Sequence, residues 1–165
     1  MRILGVDPGL LRTGYGLIEG DDPDRLKLIE AGVIRTAPED GIAVRLAHIH
    51  ENIADIIKEH RPGILVLEKL YSHYKHPTTS ILMGHARGVI CLACGQNGVR
   101  LVNYAATRVK KAVTGNGRAS KDQIRNMVRS ILGLKTYPDP VDISDALAMA
   151  IGYVRIEGMG VRCKK

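Results

Sequence analysis

Four acidic residues occupy positions from which they could share one site. Asp7 and Glu68 each follow a short apolar run of the kind that forms a buried strand. Asp142 and Asp145 are three residues apart near the start of a predicted helix, which places them on one face of it. If the two strands are parallel neighbours, their carboxylates emerge at the same edge of a sheet, where open α/β sheets bind their ligands.

Such a group of carboxylates favours divalent cations. Like charges in a small space repel one another, and hard oxygen ligands select Mg²⁺ or Mn²⁺ rather than zinc. Two such ions can activate water and stabilise the departing oxygen in phosphodiester hydrolysis. Simpler interpretations remain open, because Asp7 could begin a turn and Asp142 could be favoured by the helix dipole. Glu68 is harder to explain in this way, since burying a carboxylate at a strand end is costly unless it is paired or bound to metal.

The positive charge of the chain is concentrated in one region. Lys and Arg number 24 against 17 Asp and Glu, for a net charge of +7. Between residues 100 and 135 only Asp122 is acidic, whereas nine residues are basic: Arg100, Arg108, Lys110, Lys111, Arg118, Lys121, Arg125, Arg129 and Lys135. This region indicates a site for a polyanion, most simply nucleic acid, with a solvated basic face as the alternative.

Part of the basic region has the pattern of an amphipathic helix. Ser120 and Gln123 form a capping box that predicts a helix to about Leu132. Its exposed stripe consists of Lys121, Arg125 and Arg129, and its core-facing stripe of Ile124, Val128, Ile131 and Leu132. The preceding turn, Gly115-Asn116-Gly117, offers backbone amides that, together with Arg118, could meet phosphates.

The apolar and turn patterns predict an α/β domain with a mixed five-stranded sheet flanked by helices. Strands are predicted at 3–6, 13–18, 26–35, 64–68 and 100–104, the first three as an antiparallel meander. Helices are predicted at 42–60 and 78–95, then as two basic helices, and last from Pro140 at the first position to about 155. We expect one domain, 1–157, and a basic C-terminal tail, 158–165.

Cysteine content and hydropathy predict the compartment. Three cysteines, an odd number, fit a reducing environment better than a disulfide framework. Cys91 and Cys94 form a C-x-x-C, but they lie in an apolar helical pattern and are better explained as small core residues than as zinc ligands. No apolar run approaches the ~20 residues of a membrane span, and the N-terminus lacks a signal-peptide core. We expect a cytoplasmic protein without membrane contact.

The segments around the acidic residues resemble the sequence blocks of the RuvC family of Holliday junction resolvases. In order they are Ile3-Leu4-Gly5-Val6-Asp7-Pro8-Gly9, Thr13-Gly14-Tyr15-Gly16, Leu67-Glu68-Lys69-Leu70-Tyr71, Gly84-His85-Ala86-Arg87-Gly88-Val89, Tyr104-Ala105-Ala106 and Asp142-Ile143-Ser144-Asp145-Ala146-Leu147-Ala148. The resemblance extends from about residue 1 to residue 155. Related ribonuclease-H-like proteins share the opening block, whereas the whole set is highly specific.

The resemblance implies a ribonuclease-H-like fold and a homodimer that cuts four-way DNA junctions, leaving a 5′-phosphate and a 3′-hydroxyl. It also implies two Mg²⁺ ions per active site, for which Mn²⁺ can substitute, and cooperation with the RuvA-RuvB branch-migration complex. Carried over by position, the metal-binding and catalytic carboxylates are Asp7, Glu68, Asp142 and Asp145.

Further residues acquire roles from the same resemblance. Tyr71 takes the place of an aromatic residue that meets bases near the crossover, although the following segment, 74–77, departs from the family pattern. Lys110 and Lys121 match positions that bind or polarise phosphate, and Lys121 is expected to stabilise charge on the phosphorus. The other residues expected to bind DNA are Lys111, Arg118 and Arg125.

One helical segment suggests close packing. Gly84-x-x-x-Gly88 would allow another element, such as one of a partner subunit, to approach closely. His85 and Arg87 in this segment could support the site or the dimer, and a structural role is an equal alternative.

Three other functions remain open. A ribonuclease-H-like nuclease acting on another branched or RNA-containing substrate would keep the same carboxylates. An actin-like or sugar-kinase-like ATPase shares the Asp-x-Gly strand-turn motif, but it normally needs two such domains and a second phosphate loop. A non-catalytic DNA-binding module is disfavoured by the four carboxylates.

Overall fold

The computed structural model describes residues 1–69 and 77–162. Its sheet contains β1 Arg2–Asp7, β2 Arg12–Glu19, β3 Lys27–Arg35, β4 Ile64–Glu68 and β5 Arg100–Tyr104. The strand order is β3-β2-β1-β4-β5, with β1, β2 and β3 antiparallel and β4 and β5 parallel to β1. This arrangement confirms the predicted meander followed by parallel strands.

Helices cover both faces of the sheet. They are α1 Ile42–His60, α2 Pro77–Gln96, α3 Ala106–Thr114, α4 Lys121–Ile131 and α5 Val141–Arg162. The bounds of α1 agree with the prediction. Helix α2 is longer than predicted by one residue at each end, and α4 begins after the predicted cap and ends one residue before the predicted Leu132. Within the described residues, no helix is both long enough and apolar enough to span a membrane.

Helix α5 differs from its prediction at both ends. It begins at Val141, so Pro140 precedes the helix instead of occupying its first position. It continues to Arg162, through part of the tail predicted from residue 158. Tertiary contacts near this end favour the helix, since Tyr153 is buried and the Tyr104 hydroxyl donates to Glu157 Oε1 at 2.6 Å. Such contacts can outweigh the cost of about 1 kcal/mol that each glycine adds to a helix.

The sheet separates two apolar layers. Residues such as Leu65 and Leu67 pack with α1 and α2, whereas Val66 between them packs with α3, α4 and α5. Cys94 is buried in the layer with α1 and α2, and Cys91 packs against it partly buried. The structure therefore confirms that this pair contributes to the core.

The register of the central strands places two acidic residues side by side. Val6 pairs with Leu67 in the parallel ladder of β1 and β4, so Asp7 and Glu68 follow the last pair on adjacent strands. Because side chains alternate along a strand, both carboxylates point to the same face as Val66, toward α3, α4 and α5.

Helix α5 lies very close to β1 and β2 because glycines face it. A Cβ atom added at Gly5 would lie 2.0 Å from the carbonyl oxygen of Ala146, and one at Gly14 would lie 2.3 Å from that of Asp142. No larger residue fits there without displacing the backbone of the helix. This close approach brings the first turns of α5, with Asp142 and Asp145, over the end of β1.

Candidate active site

A cavity of about 280 Å³ opens at the edge of the sheet where β1 and β4 end. Its charged lining consists of Asp7, Glu68, Asp145, Lys110 and Lys121, and apolar residues of α3, α4 and α5 complete it. Three of the four predicted carboxylates and two of the predicted basic residues therefore meet in one concave site. Asp142 lies one turn before Asp145 and does not line the cavity, although its charge reaches Asp7.

Asp7 has the most perturbed acidity of the group. Burial raises its pKa from 3.8 to about 7, and repulsion from Asp145, Glu68 and Asp142 adds to the shift, while Lys121 opposes it. Its carboxyl group therefore holds a proton near neutral pH unless a further cation enters. A perturbed carboxyl in a cleft is typical of a functional site.

Glu68 shows the same effect more weakly. Burial raises its pKa and the charge of Asp145 adds to this, whereas Lys110 and Lys121 lower it. The two lysines compensate only part of the negative charge, so a further cation would be attracted to the cavity.

Lys121 is held at the rim by the first turn of α4. The predicted capping box is present, because Gln123 N–H donates to Ser120 Oγ at 3.2 Å and Ser120 N–H donates to Gln123 Oε1 at 2.9 Å. Lys121 Nζ donates to Asp145 Oδ2 at 3.2 Å, and this partner raises the pKa of the lysine. The ammonium group is thus charged at the rim of the cavity.

The donor set fits a hard divalent cation. Across residues 1–69 and 77–162, no three His, Cys, Asp or Glu side chains are already arranged as a metal-binding cluster. Mg²⁺ does not require such a cluster, since proteins usually bind it through one or two carboxylates, with waters and substrate phosphates as the other ligands. Burial, with repulsion between the carboxylates added to it, raises the pKa values of Asp7 and Glu68, and a bound cation would oppose both effects.

The turn before α4 fits its prediction only in part. Its backbone amides were predicted to be able to meet phosphates, but those of Gly115 and Asn116 are bonded to other groups of the chain. Asn116 N–H donates to Thr114 Oγ1, Arg118 N–H to Asn116 Oδ1, and Gly115 N–H to the carbonyl of Lys111. The asparagine side chain closes a local turn, which leaves these amides unavailable to a ligand.

The predicted basic stripe contacts an aromatic residue that was not predicted from the sequence. The guanidinium carbons of Arg125 and Arg129 lie 5.3 and 4.5 Å from the centroid of the Tyr137 ring. The Tyr137 hydroxyl donates to Asn126 Oδ1 at 2.7 Å. An aromatic residue close to a basic helix, in a chain without Phe or Trp, was the available signal. Lys111 and Arg118, which were also predicted to bind DNA, are both exposed.

Tyr71, which was predicted to contact DNA, lies outside the described part of the chain, as do Tyr74 and His76 of the segment that departs from the family pattern. The expected stacking of Tyr71 on a base remains a prediction from sequence.

Comparisons with known proteins identify the family to which this chain is similar. The family model for crossover junction endodeoxyribonuclease RuvC matches residues 3–153. A crossover junction endodeoxyribonuclease RuvC from Rhodopirellula baltica is 49% identical over 149 residues, which cover 90% of this chain and 83% of that protein.

Solved structures give the same result. The structure of Thermus thermophilus RuvC superposes with a TM-score of 0.88 at 31% identity, covering 97% of each chain. T. thermophilus RuvC in complex with a Holliday junction substrate gives a TM-score of 0.89 at 30% identity, covering 97% of this chain and 96% of that one. The predicted ribonuclease-H-like fold is thereby confirmed, and the chain belongs to the RuvC family of crossover junction endodeoxyribonucleases.

Proposed function

We propose that this chain resolves four-way DNA junctions by two symmetric Mg²⁺-dependent hydrolyses, each leaving a 5′-phosphate and a 3′-hydroxyl. The observation that carries the proposal is the acidic cavity, whose carboxylates lack compensating charge, beside a basic surface. The T. thermophilus relative with a junction substrate bound supports the choice of DNA.

The four acidic residues Asp7, Glu68, Asp142 and Asp145 would hold two Mg²⁺ ions, or Mn²⁺ in their place. Bound ions of this kind activate a water molecule and stabilise the departing 3′ oxygen. The chain itself supplies the geometry, because the register of β1 and β4 and the close approach of α5 fix the carboxylates relative to one another. Asp7 must lose its proton before it can bind a cation, so ion binding releases a proton near neutral pH.

Lys121 would act on the phosphate. Its ammonium group lies at the cavity rim, and it can stabilise the negative charge that develops on the attacked phosphoryl group. Lys110 lines the same cavity and would bind an adjacent phosphate oxygen.

The surface beside the cavity has few acidic partners. Of the nine basic residues between 100 and 135, Lys121 alone has a carboxylate within 4.0 Å among the residues that the structure describes. A face that is merely solvated does not explain why two of these residues, Lys110 and Lys121, line an acidic cavity. A polyanion whose cleaved bond lies in the cavity explains both features, and we infer that Lys110, Lys111, Arg118, Lys121 and Arg125 contact DNA.

The basic surface extends along the axis of helix α4. Along the helix, Lys121 and Arg129 are separated by eight residues, about 12 Å of rise. That length equals three to four nucleotides of one strand at ~3.4 Å each. A strand cut beside Lys121 would therefore pass Arg125 and Arg129 as it leaves the cavity.

The double variant Arg125→Ala/Arg129→Ala is expected to weaken junction binding about tenfold or more at moderate salt. It should also reduce the slope of log affinity against log salt by about two, one for each phosphate that is no longer neutralised. Fluorescence anisotropy over a salt series in EDTA measures both quantities. Arg25→Ala/Lys27→Ala removes the same charge near the opposite end of the sheet and serves as the control. Equal slopes for the two variants would remove Arg125 and Arg129 from the DNA surface.

We further propose that the protein is a homodimer that pairs through the outer face of α2. A Cβ atom added at Gly84 or Gly88 would meet nothing within 4 Å. On the same face, Ile81 and Leu92 are 60% and 53% exposed, respectively. Large apolar side chains beside small residues leave room for another helix to approach closely. Two copies related by a two-fold axis would match the two symmetric cuts.

Leu92→Glu is expected to convert the dimer to a monomer, because it would bury a charge at the two-fold axis. Light scattering coupled to gel filtration measures the mass. Val44→Glu on α1 places the same charge at a side chain that is 59% exposed and should leave the dimer intact. A dimeric Leu92→Glu protein would place the interface elsewhere.

Other parts of the proposal rest on the sequence alone. We infer that the chain works in the cytoplasm with the RuvA-RuvB branch-migration complex. Its division into a nuclease domain, 1–157, and a basic tail, 158–165, is likewise inferred, with helix α5 extending into the tail as far as Arg162. Tyr71 would stack on an unpaired base at the crossover, an interaction of about 1–3 kcal/mol.

The direct test uses the purified protein and a synthetic four-way junction. We expect paired nicks with Mg²⁺ or Mn²⁺ and none with EDTA. A panel with a flap, a three-way junction and an RNA–DNA hybrid separates the alternatives. Cleavage of one of these, with the four-way junction uncut, would favour a different ribonuclease-H-like activity.

A further inference from the structure

Arg87 connects helix α2 to the strand end that carries Glu68. Its Nη1 donates to the carbonyl oxygen of Glu68 at 2.7 Å, and its Nη2 donates to Oδ1 of Asn103. Asn103 belongs to β5, where it pairs in register with Leu67, the residue before Glu68. One guanidinium group therefore holds the last residue of β4 and the neighbouring strand together.

These contacts lie on the opposite side of the sheet from the cavity. Helix α2 packs through Ala86 and Ile90 into the layer that contains Leu67, whereas the Glu68 carboxylate lines the cavity on the other face. Arg87 thus contacts the main chain of Glu68 from the face of the sheet opposite the cavity. The cations that lower the pKa of the Glu68 carboxyl are Lys110 and Lys121, which lie on the cavity side.

The contact with Arg87 fixes a strand end that carries a charge close to another charge of the same sign. Glu68 is the last residue of β4, and its carboxylate is repelled by the charge of Asp145. The Lys69 amide donates to the Tyr104 carbonyl at 2.8 Å, which fixes the peptide after Glu68 to β5. Arg87 donates to the carbonyl oxygen of the same peptide, so both the N–H and the C=O group of that peptide are hydrogen-bonded.

We propose that Arg87 is a positioning residue that fixes the main chain of Glu68, and that Asn103 orients its guanidinium group. The inference rests on the proposed function, since it assigns Glu68 a role in cation binding and cleavage. The planar fork of arginine can bond two acceptors at once, whereas lysine presents a single flexible point charge. A displacement of about 1 Å at a reacting group can cost about 100-fold in rate.

The test compares Arg87→Ala, Arg87→Lys and Asn103→Ala with the wild-type chain. For Arg87→Ala we expect a single-turnover cleavage rate about 10- to 100-fold lower and an Mn²⁺ affinity about tenfold weaker, the latter measured by calorimetry on the protein without DNA. Junction affinity in EDTA should stay within about twofold. Arg87→Lys should recover part of both losses. Asn103→Ala should show smaller losses of the same kind, and the double alanine variant should be no worse than Arg87→Ala.

Arg2→Ala is the matched control. Arg2 also bonds a main-chain carbonyl, that of His60 at 3.0 Å, and a side chain, Glu19, near the other end of the sheet. Its loss should lower the melting temperature without changing Mn²⁺ affinity.

The possible outcomes separate the two proposals. Wild-type rate and Mn²⁺ affinity in Arg87→Ala would overturn the role of Arg87, as would a loss of junction affinity with Mn²⁺ affinity unchanged. If Arg87→Ala does not fold, Asn103→Ala and Arg87→Lys decide by the same criteria. If the wild-type chain fails to cut junctions but Arg87→Ala still weakens Mn²⁺ binding, the proposed function falls and the positioning role stands.

Discussion

Asp7→Asn is expected to bind four-way junctions normally and to cut them at least about 1,000-fold more slowly in Mg²⁺. The amide keeps the shape of the side chain but removes the carboxylate that would bind the cation. Cation catalysis contributes several kcal/mol, and each 1.36 kcal/mol changes the rate tenfold. Single-turnover cleavage and binding in EDTA measure the two effects. Asp55→Asn, an exposed acid on α1, is the control, and wild-type cutting by Asp7→Asn would overturn the assignment of the site.

The same variant has a second consequence, for stability. The folded-state pKa of Asp7 is raised above the ordinary value of 3.8, so folding favours the protonated form. The stability that depends on a protonated Asp7 is fully present below about pH 4 and is lost as the pH rises to about 7. A shift of this size corresponds to roughly 4 kcal/mol as an upper bound. In EDTA at pH 8, Asp7→Asn should therefore melt several degrees above the wild-type protein, and the difference should shrink toward pH 4.

Added Mg²⁺ should reverse this order at pH 8. Cations that bind the folded wild-type site stabilise it by mass action, and Asp7→Asn should gain much less. Thermal unfolding at pH 5 and 8, with Mg²⁺ or EDTA, provides the comparison. Equal melting temperatures for the two proteins in EDTA at both pH values would show that burial and the neighbouring acids do not destabilise the Asp7 carboxylate.

The pairing of Asp7 with Glu68 was predictable because it depends on local rules. Each residue ends a short apolar strand, and parallel neighbours deliver their carboxyl ends to one edge of a sheet. The start of α4 was predictable for the same reason, since the capping box of Ser120 and Gln123 involves four consecutive residues.

Contacts between segments that are far apart in the sequence were not predictable. The contacts of Arg87 with Glu68 and of Arg129 with Tyr137 join residues on different elements, and no periodicity encodes them. The spacing of Asp142 and Asp145 predicted a shared helix face, but only Asp145 lines the cavity, because this depends on how α5 crosses the sheet.

The crossing of α5 depends on glycine at position 5, and Gly5→Ala is expected to disrupt both fold and site. The added Cβ would lie 2.0 Å from the Ala146 carbonyl oxygen and 2.8 Å from the Ala150 nitrogen, which are backbone atoms that cannot rotate away. Overpacking of this kind costs about 1–3 kcal/mol, and here more is expected because the helix itself must move. Denaturant unfolding should show this loss.

A helix that moves to accept the added methyl group would carry Asp145 away from Asp7, so the surviving folded protein should also cut more slowly. A displacement near 1 Å can cost about 100-fold, and Mg²⁺ affinity should fall with the rate. Gly63→Ala controls for the change of residue type, because its Cβ would meet nothing closer than Met1 Cγ at 3.9 Å. If Gly5→Ala matched Gly63→Ala in both stability and rate, the close approach of α5 would not be what assembles the acidic cavity. If Gly5→Ala lost stability but cut at the wild-type rate, α5 would still occupy its wild-type position over the site. The carboxylates, rather than Gly5, would then set the geometry of the site.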